Sequence, residues 1–459
     1  MRKLLDWIDD RSGLVTWTRH ALEHPVPPRT GWWYVFGSAT LLAFVLQVVT
    51  GIALATAYVP SSGQAYDSLK FISEQALLGR FLRGMHYFGA SAMVLLIGIH
   101  VSRTYLMAAY KFPRELNWLT GAVLLLLTLA LAFTGQLLRW DQTAVWSVIV
   151  GAAQAGRTPV LGDEIARFIL AGDTIGGATL SRFFAFHVFF IPALVFVLIG
   201  VHLMLVLRHG ISERPKSGES VDPATYRQRY DELLRREGVP FWPDAAWRDV
   251  VFGAAMVSTV ALLAIIVGPP ELGPPPDPSL LEAYPRPDWY FLWYFAVLAM
   301  VPHHLESIII IAGPLIFGAL LLLVPLFNTG ERSVRRRPFA ALLVGFIWTM
   351  IVVFWVAGER APWSPDFNAP ALSAQDVGSD DPAVLLGAKL FHEKGCQFCH
   401  AVHGSGGKRG PDLTDVADRM SPDQITGRVT NGSPNMPAYV RVLSPEETQA
   451  IVTFLNTRR

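Results

Sequence analysis

The sequence predicts an all-α protein, a seven-helix transmembrane bundle followed by a small soluble helical domain. Three observations predict it. Of 459 residues, 52% are hydrophobic and only 16% charged, with a mean hydropathy of +0.36, too apolar for a water-soluble chain of this length. Seven stretches lack Asp, Glu, Lys and Arg and approach or exceed the roughly 20 residues that cross a bilayer as helix; they run at about 32–57, 84–102, 117–138, 183–207, 250–268, 307–327 and 338–358. Beyond them the composition changes: 359–380 is rich in Pro, Ser, Ala and Asp and reads as a linker, and 381–459 has the mixed composition of a small soluble domain.

A net charge of +1 points to no nucleic acid, so the charge informs only through its distribution. Residues 1–21 mix Arg2, Lys3, Asp6, Asp9 and Asp10 with Leu4, Leu5, Trp7 and Ile8. They lack the apolar core of a cleavable signal peptide and read as a surface helix at the membrane face. With the N-terminus inside, the inner segments (1–31, 103–116, 208–249, 328–337) hold 20 Lys and Arg, and the outer loops (58–83, 139–182, 269–306) hold 8. The positive-inside bias therefore predicts a cytoplasmic N-terminus and an outer C-terminal domain.

Four histidines lie within the apolar stretches, His86 and His100 in the second and His187 and His202 in the fourth. Spacings of 14 and 15 residues are close to four helical turns, so each pair shares one side of its helix, roughly 20 Å apart along the axis. Both stretches enter from the outer side, which pairs His86 with His187 outside and His100 with His202 inside. Bis-imidazole heme iron has no open position and suits electron transfer. A single transmembrane histidine is often only a satisfied polar group between helices. Two matched pairs predict two non-covalent b hemes. Gly37 and Gly51 in the first stretch, and Gly121 and Gly135 in the third, repeat the 14-residue period. Glycine admits a flat macrocycle close to the backbone, although small residues also serve close helix packing. Arg83 and Arg103 flank the second stretch as candidates for heme propionates, or equally as membrane-edge anchors.

The only cysteines lie in Cys396-Gln397-Phe398-Cys399-His400. This is the attachment signature of a covalent heme c, with thiols for the vinyl groups and His400 as an axial ligand. A zinc or redox dithiol would need a second ligand pair or a thioredoxin-like frame, and the sequence has neither. Met436, in a loop and followed by Pro437, is the expected sixth ligand. Met420 is the alternative, while His392 or His403 would make a lower-potential site.

Residues 1–358 resemble the cytochrome b family of Rieske/cytochrome bc complexes. The 15-residue histidine spacing, Trp140-Asp141-Gln142 and seven rather than eight spans are similar to the plastid and cyanobacterial type, here with its usual two polypeptides joined. The resemblance implies heme ligands at His86, His187, His100 and His202, and places the family's quinol-site motif, Pro-Glu-Trp-Tyr, at Pro287, Asp288, Trp289 and Tyr290. Two positions depart from it. The plastid type attaches a further heme to a cysteine that aligns with Val35, which excludes a third covalent heme in the membrane part. Asp288 is one methylene shorter than the usual glutamate, a reach that suits a different quinone such as low-potential menaquinol. The tail is similar to class I cytochromes c through Gly410-Pro411-Asp412-Leu413, Asn435-Met436-Pro437 and a closing helix at about 445–456.

Quinol oxidation needs a proton acceptor beside an apolar pocket, and Asp288 lies in an outer loop. Pro-Asp ahead of an aromatic run is otherwise a common helix N-cap. Arg208 and His209, at the inner end of the fourth stretch, are candidates for an inner quinone site or simply mark the positive boundary. The expected organisation is 1–210, surface helix and four-helix diheme core; 211–249, cytoplasmic connector; 250–358, three-helix part with the quinol loop; 359–380, linker; and 381–459, cytochrome c domain. The expected function is that of the cytochrome b/c subunit of a proton-translocating quinol:cytochrome c reductase in a bacterial inner membrane. No iron-sulfur cluster motif is present, so a separate Rieske protein is an expected partner. A soluble cytochrome c or further cytochrome c subunits and, by resemblance, a second copy of the complex are others. The rival reading is the diheme anchor of another respiratory oxidoreductase, which predicts neither Pro287–Tyr290 nor the last three spans.

Overall fold

The computed structural model describes residues 2–277, 287–327, 330–360, 366, 369–432, 436, 438–440 and 442–459. Among them seven helices are long and apolar enough to cross a membrane: α1 (Phe36–Ala55), α2 (Gly79–Leu106), α3 (Glu115–Leu137), α4 (Gly177–His209), α5 (Trp247–Ile266), α6 (His303–Leu323) and α7 (Pro338–Glu359). Their outward faces carry large exposed apolar side chains, such as Ile266, Phe339 and Leu342, which only hydrocarbon would solvate. Phe44, Met93, Val195 and Val260 bring α1, α2, α4 and α5 into one buried core. The chain divides into two compact units, one around the four histidines and one containing the soluble domain.

One irregularity in α4 accounts for the unequal histidine spacings. Residues Phe186–Phe190 form a single π-helical turn, with the Ile191 N–H donating to the Phe186 carbonyl five residues back. Pro192 has no N–H to return to residue 188, and its ring crowds that carbonyl, so the ladder loosens just ahead of it. The turn takes up one extra residue, so His187 and His202, 15 apart, keep the register of His86 and His100, 14 apart.

Beyond the end of α3, Asp141 is fully buried and accepts from the Ala144 and Gly273 N–H groups and from Arg139. It caps the helix Gln142–Ala155 and ties it to the segment that follows α5. At the other end of α3, the Arg114 guanidinium donates to the carbonyls of Gly210 (2.9 Å) and His209 (3.0 Å), closing the end of α4. It also donates to the Tyr226 hydroxyl at 2.8 Å. Tyr226 donates to Glu213 at 2.7 Å, and Glu213 pairs with buried Arg332.

In the soluble domain, α8 (Pro382–Glu393), α10 (Pro422–Asn431) and α11 (Pro445–Asn456) each begin with Pro behind an Asp or Ser cap, and α9 (Cys396–Cys399) carries the cysteines. α8 crosses α11 closely at Gly387, where a Cβ would stand 2.1 Å from the Ala450 carbonyl oxygen. Phe391, Val402, Ile451 and Phe454 form its core.

The segment expected as a linker is only partly one. The Asp366 N–H donates to the Phe398 carbonyl (2.7 Å), the Pro370 carbonyl accepts from Gln397, and Val377 is buried in the core of the domain. A short helix, Ala374–Val377, forms behind its Ser373 cap, and residues 369–373 run beside the domain without regular structure, which a Pro/Ser/Asp composition allows as well as a free linker. Residues 361–365, 367 and 368 lie outside the described residues.

Candidate heme and quinol sites

His86 and His187 face each other from α2 and α4, with ring centroids 6.2 Å apart and planes at 81°. Two imidazoles sharing one metal through bonds of about 2 Å each would stand roughly 6 Å apart, centre to centre. The pair therefore fits an iron between them.

The orientation of these rings is set by threonines that sequence reasoning missed. The Thr50 hydroxyl donates to the Leu46 carbonyl (2.7 Å) and lies 3.0 Å from His86 Nδ1. Thr120 donates to Leu116 (2.9 Å) and lies 2.9 Å from His202 Nδ1. Thr134 donates to Ala130 (2.8 Å) and lies 3.3 Å from His187 Nδ1, which is also 3.0 Å from the Leu131 carbonyl. A hydroxyl has one hydrogen, already given to the helix. The hydrogen-bond network thus assigns the imidazole hydrogen to Nδ1 and leaves Nε2 as the free lone pair a metal takes. Each threonine directly precedes one of the periodic glycines, so Thr-Gly was the readable signal.

The glycines lie against the histidine rings. A Cβ would stand 3.1 Å from His100 at Gly37, 3.2 Å from His86 at Gly51, 3.4 Å from His202 at Gly121 and 2.6 Å from His187 at Gly135. His100, His202, Gly37 and Gly121 line one cavity of about 520 Å³, within the roughly 300–1,000 Å³ of cofactor pockets. Arg103 also lines it, stacked over Tyr34 at 4.1 Å, with Nε and Nη2 buried and unpartnered among the described residues. Such a donor set fits a propionate. Arg83, near the opposite end of α2, is engaged by the Ser73 hydroxyl (3.0 Å) and the Pro270 carbonyl (2.7 Å).

The cavity at His100 and His202 extends to Val35, Ser38, Arg248 and Asp249. The Ser38 hydroxyl donates to the Asp249 carboxylate. Arg208 and His209 do not line this cavity; Arg208 is exposed. Asp249, in the first turn of α5, is the last charged residue before its apolar run, a position that resembles an ordinary boundary charge until the cavity is seen.

The Tyr290 hydroxyl donates to Asp288 at 2.8 Å and Trp289 donates to the Ser91 hydroxyl at 3.1 Å. Pro287 precedes them, half-buried. Burial pushes the Asp288 carboxyl above the usual carboxylate range, against the opposing pull of the Tyr290 hydroxyl and the Arg139 charge. Tyr87, next to His86, lies within electrostatic reach of Asp288.

In the soluble domain, His400 Nδ1 lies 2.8 Å from the Pro411 carbonyl, which leaves Nε2 for a metal. A Cβ at Gly410 would stand 2.4 Å from the ring. Burial pushes the Cys396 thiol up to about 12, the opposite of the depressed thiol of a redox dithiol. Met436 and Met420 both pack against the core, and His392 Nδ1 is 3.1 Å from Gln397 Oε1. His403 is exposed. Asn435 and Pro437 lie outside the described residues.

The fold and these sites define a multi-pass membrane electron carrier with a c-type domain. Residues 21–210 match the family described as "Cytochrome b/b6/petB", 282–369 "Cytochrome b(C-terminal)/b6/petD", and 382–455 "Cytochrome C oxidase, cbb3-type, subunit III". The chain is 33% identical to "Cytochrome b" of Allochromatium vinosum, covering 65% of this chain and 73% of that one. It is 37% identical to the "Menaquinol:cytochrome c reductase cytochrome b subunit" of Bacillus subtilis, over 46% and 98%. A solved "Hyperthermophilic respiratory Complex III" superposes with a TM-score of 0.68 at 26% identity, covering 77% and 91%. This chain belongs to the cytochrome b family, with both halves of the protein fused and a cytochrome c domain after them.

Proposed function

We propose that this chain is the cytochrome b and c subunit of a quinol:cytochrome c reductase that works with a separate Rieske iron-sulfur protein. The observation that carries the reading is the His86–His187 pair, spaced for a shared iron, with Tyr87 beside it in reach of Asp288.

His86 with His187 and His100 with His202 would hold two non-covalent b hemes, and Cys396, Cys399, His400 and Met436 one heme c. When bound, these groups carry single electrons, the b hemes from the outer to the inner side and heme c to an acceptor outside. The residues around them supply orientation and proton handling. Asp288 accepts a quinol proton, with its carboxylate held toward Tyr290 by the phenol hydrogen bond. Trp289 is anchored beside Asp288 by its hydrogen bond to Ser91. Inside, Ser38 and Asp249 offer a donor and a proton source at the end of the cavity that begins at His100 and His202, a better-placed pair than Arg208 and His209.

The 20 to 8 excess of Lys and Arg supports a cytoplasmic N-terminus. Proton release at Asp288 and uptake at Asp249 then fall on opposite sides of a bacterial inner membrane, which makes turnover proton-translocating. The partners follow from the same reading: the Rieske protein, quinone, a soluble or further bound cytochrome c, and a second copy of the complex. The test is quinol:cytochrome c reductase activity of the purified complex, with and without Asp288→Asn. The reading expects strong loss; unchanged turnover removes Asp288 from the proton path.

A further inference from the structure

The cavity at His100 and His202 is also lined by His24, which comes from the chain ahead of α1. That chain is fastened in place: Pro25 and Val26 pair antiparallel with Pro240 and Val239, and the Phe241 N–H donates to the His24 carbonyl at 3.0 Å. The imidazole stacks on the Phe241 ring, with centroids 5.4 Å apart and planes at 25°. Phe241 lines the cavity as well and lies just ahead of α5, whose first turn brings Asp249 and its Ser38 bond into the same space. Among the described residues, six ionisable side chains besides the two heme-ligand histidines line this cavity. Arg103, Arg114 and Arg248 keep their charge at every working pH and have no proton to give. The Tyr34 hydroxyl donates to the Ser212 carbonyl at 2.9 Å. Asp249 and His24 are left as the groups that can hand over a proton.

We propose that His24 is a second proton donor of the quinone-reducing site, working with Asp249 on the same bound quinone. This rests on the reading of Ser38 and Asp249 as that site. A quinone carries two carbonyl oxygens at opposite ends of its ring, and its reduction to quinol takes two electrons and two protons. One carboxyl cannot reach both oxygens, so the second proton comes from another segment. Asp249 gives a proton to one oxygen and the His24 imidazolium gives one to the other, each new O–H bond forming as the donor's O–H or N–H bond breaks. The electrons arrive singly from the b heme of His100 and His202. Quinol leaves, and the carboxylate of Asp249 and the neutral imidazole of His24 are reprotonated from the inner face. His24 is half-buried, so protons reach it from the surface. The stack on Phe241 holds the ring in place between turnovers.

The test uses the purified complex and follows b-heme absorbance by stopped flow after mixing with a short-chain naphthoquinol, at a series of concentrations of the matching quinone. His24→Phe keeps a ring on Phe241, and His24→Gln keeps a hydrogen-bond donor; neither has a proton to give. Both variants should reduce the b hemes at the wild-type rate and reoxidise them about 10²-fold or more slowly, the range of a lost general acid. His24→Gln should keep the half-saturating quinone concentration of wild type, since its amide still reaches the carbonyl. A packing role alone would leave His24→Phe like wild type. Reoxidation at the wild-type rate in His24→Phe, with Asp249→Asn slowed, overturns the role of His24 and leaves the site standing. Wild-type reoxidation in Asp249→Asn defeats the underlying reading of the site instead. Should His24→Phe lose its b-heme spectrum, His24→Gln decides alone: slow reoxidation supports the assignment and wild-type reoxidation overturns it.

Discussion

The Tyr290 hydroxyl donates to Asp288 Oδ2 at 2.8 Å, so the phenol stabilises the charged carboxylate while burial opposes it. Removing the hydroxyl leaves burial unopposed. Asp288 as a base works only when deprotonated, so activity rises as pH climbs through its pKa. In Tyr290→Phe that pKa is higher, and the acid limb of kcat/KM for quinol should move to higher pH. Asp288→Asn should lower kcat/KM at every pH by about 10² or more, the range of a lost general base.

Gly135 leaves the least room of the four periodic glycines, 2.6 Å to the His187 ring against 3.4 Å from Gly121 to His202. Gly135→Ala should deplete the outer b heme, while Gly121→Ala retains the inner one. Redox titration of b-type absorbance in isolated membranes checks this. Equal retention in both variants would show that the rings move freely.

The threonines should tune their hemes separately. Thr50→Val removes the acceptor of the His86 Nδ1 hydrogen and should shift the midpoint potential of the outer heme alone; Thr120→Val should shift the inner heme alone. Ligand-orienting partners of this kind typically matter about 10–100-fold in affinity or activity.

Asp249→Asn should leave quinol-driven reduction of the b hemes intact and slow their reoxidation, so that stopped-flow traces show both hemes accumulating reduced. Arg208→Gln should not reproduce that trace if the Ser38–Asp249 pair is the inner site.

Much of this architecture is readable in the chain, and the exceptions have physical causes. The seven spans are hydropathy, and the four histidines are helical register. The π turn was not legible because 15 residues alone also fit an ordinary helix; Pro192 is what displaces the ladder. Ser38 and Asp249 are 211 residues apart, and no local pattern joins them. The packing of residues 369–377 on the domain escaped because composition reports what a segment favours, not what it touches. The inner candidates Arg208 and His209 followed the charge boundary, which marks where a helix ends without marking where its cavity opens.

Whether the four histidines are paired around iron is decided by the heme content of the purified complex. Pyridine hemochrome analysis with acid–acetone extraction should return two extractable protohemes for each thioether-bound heme. A preparation with the bound heme alone would contradict the pairing of His86 with His187 and of His100 with His202 around iron.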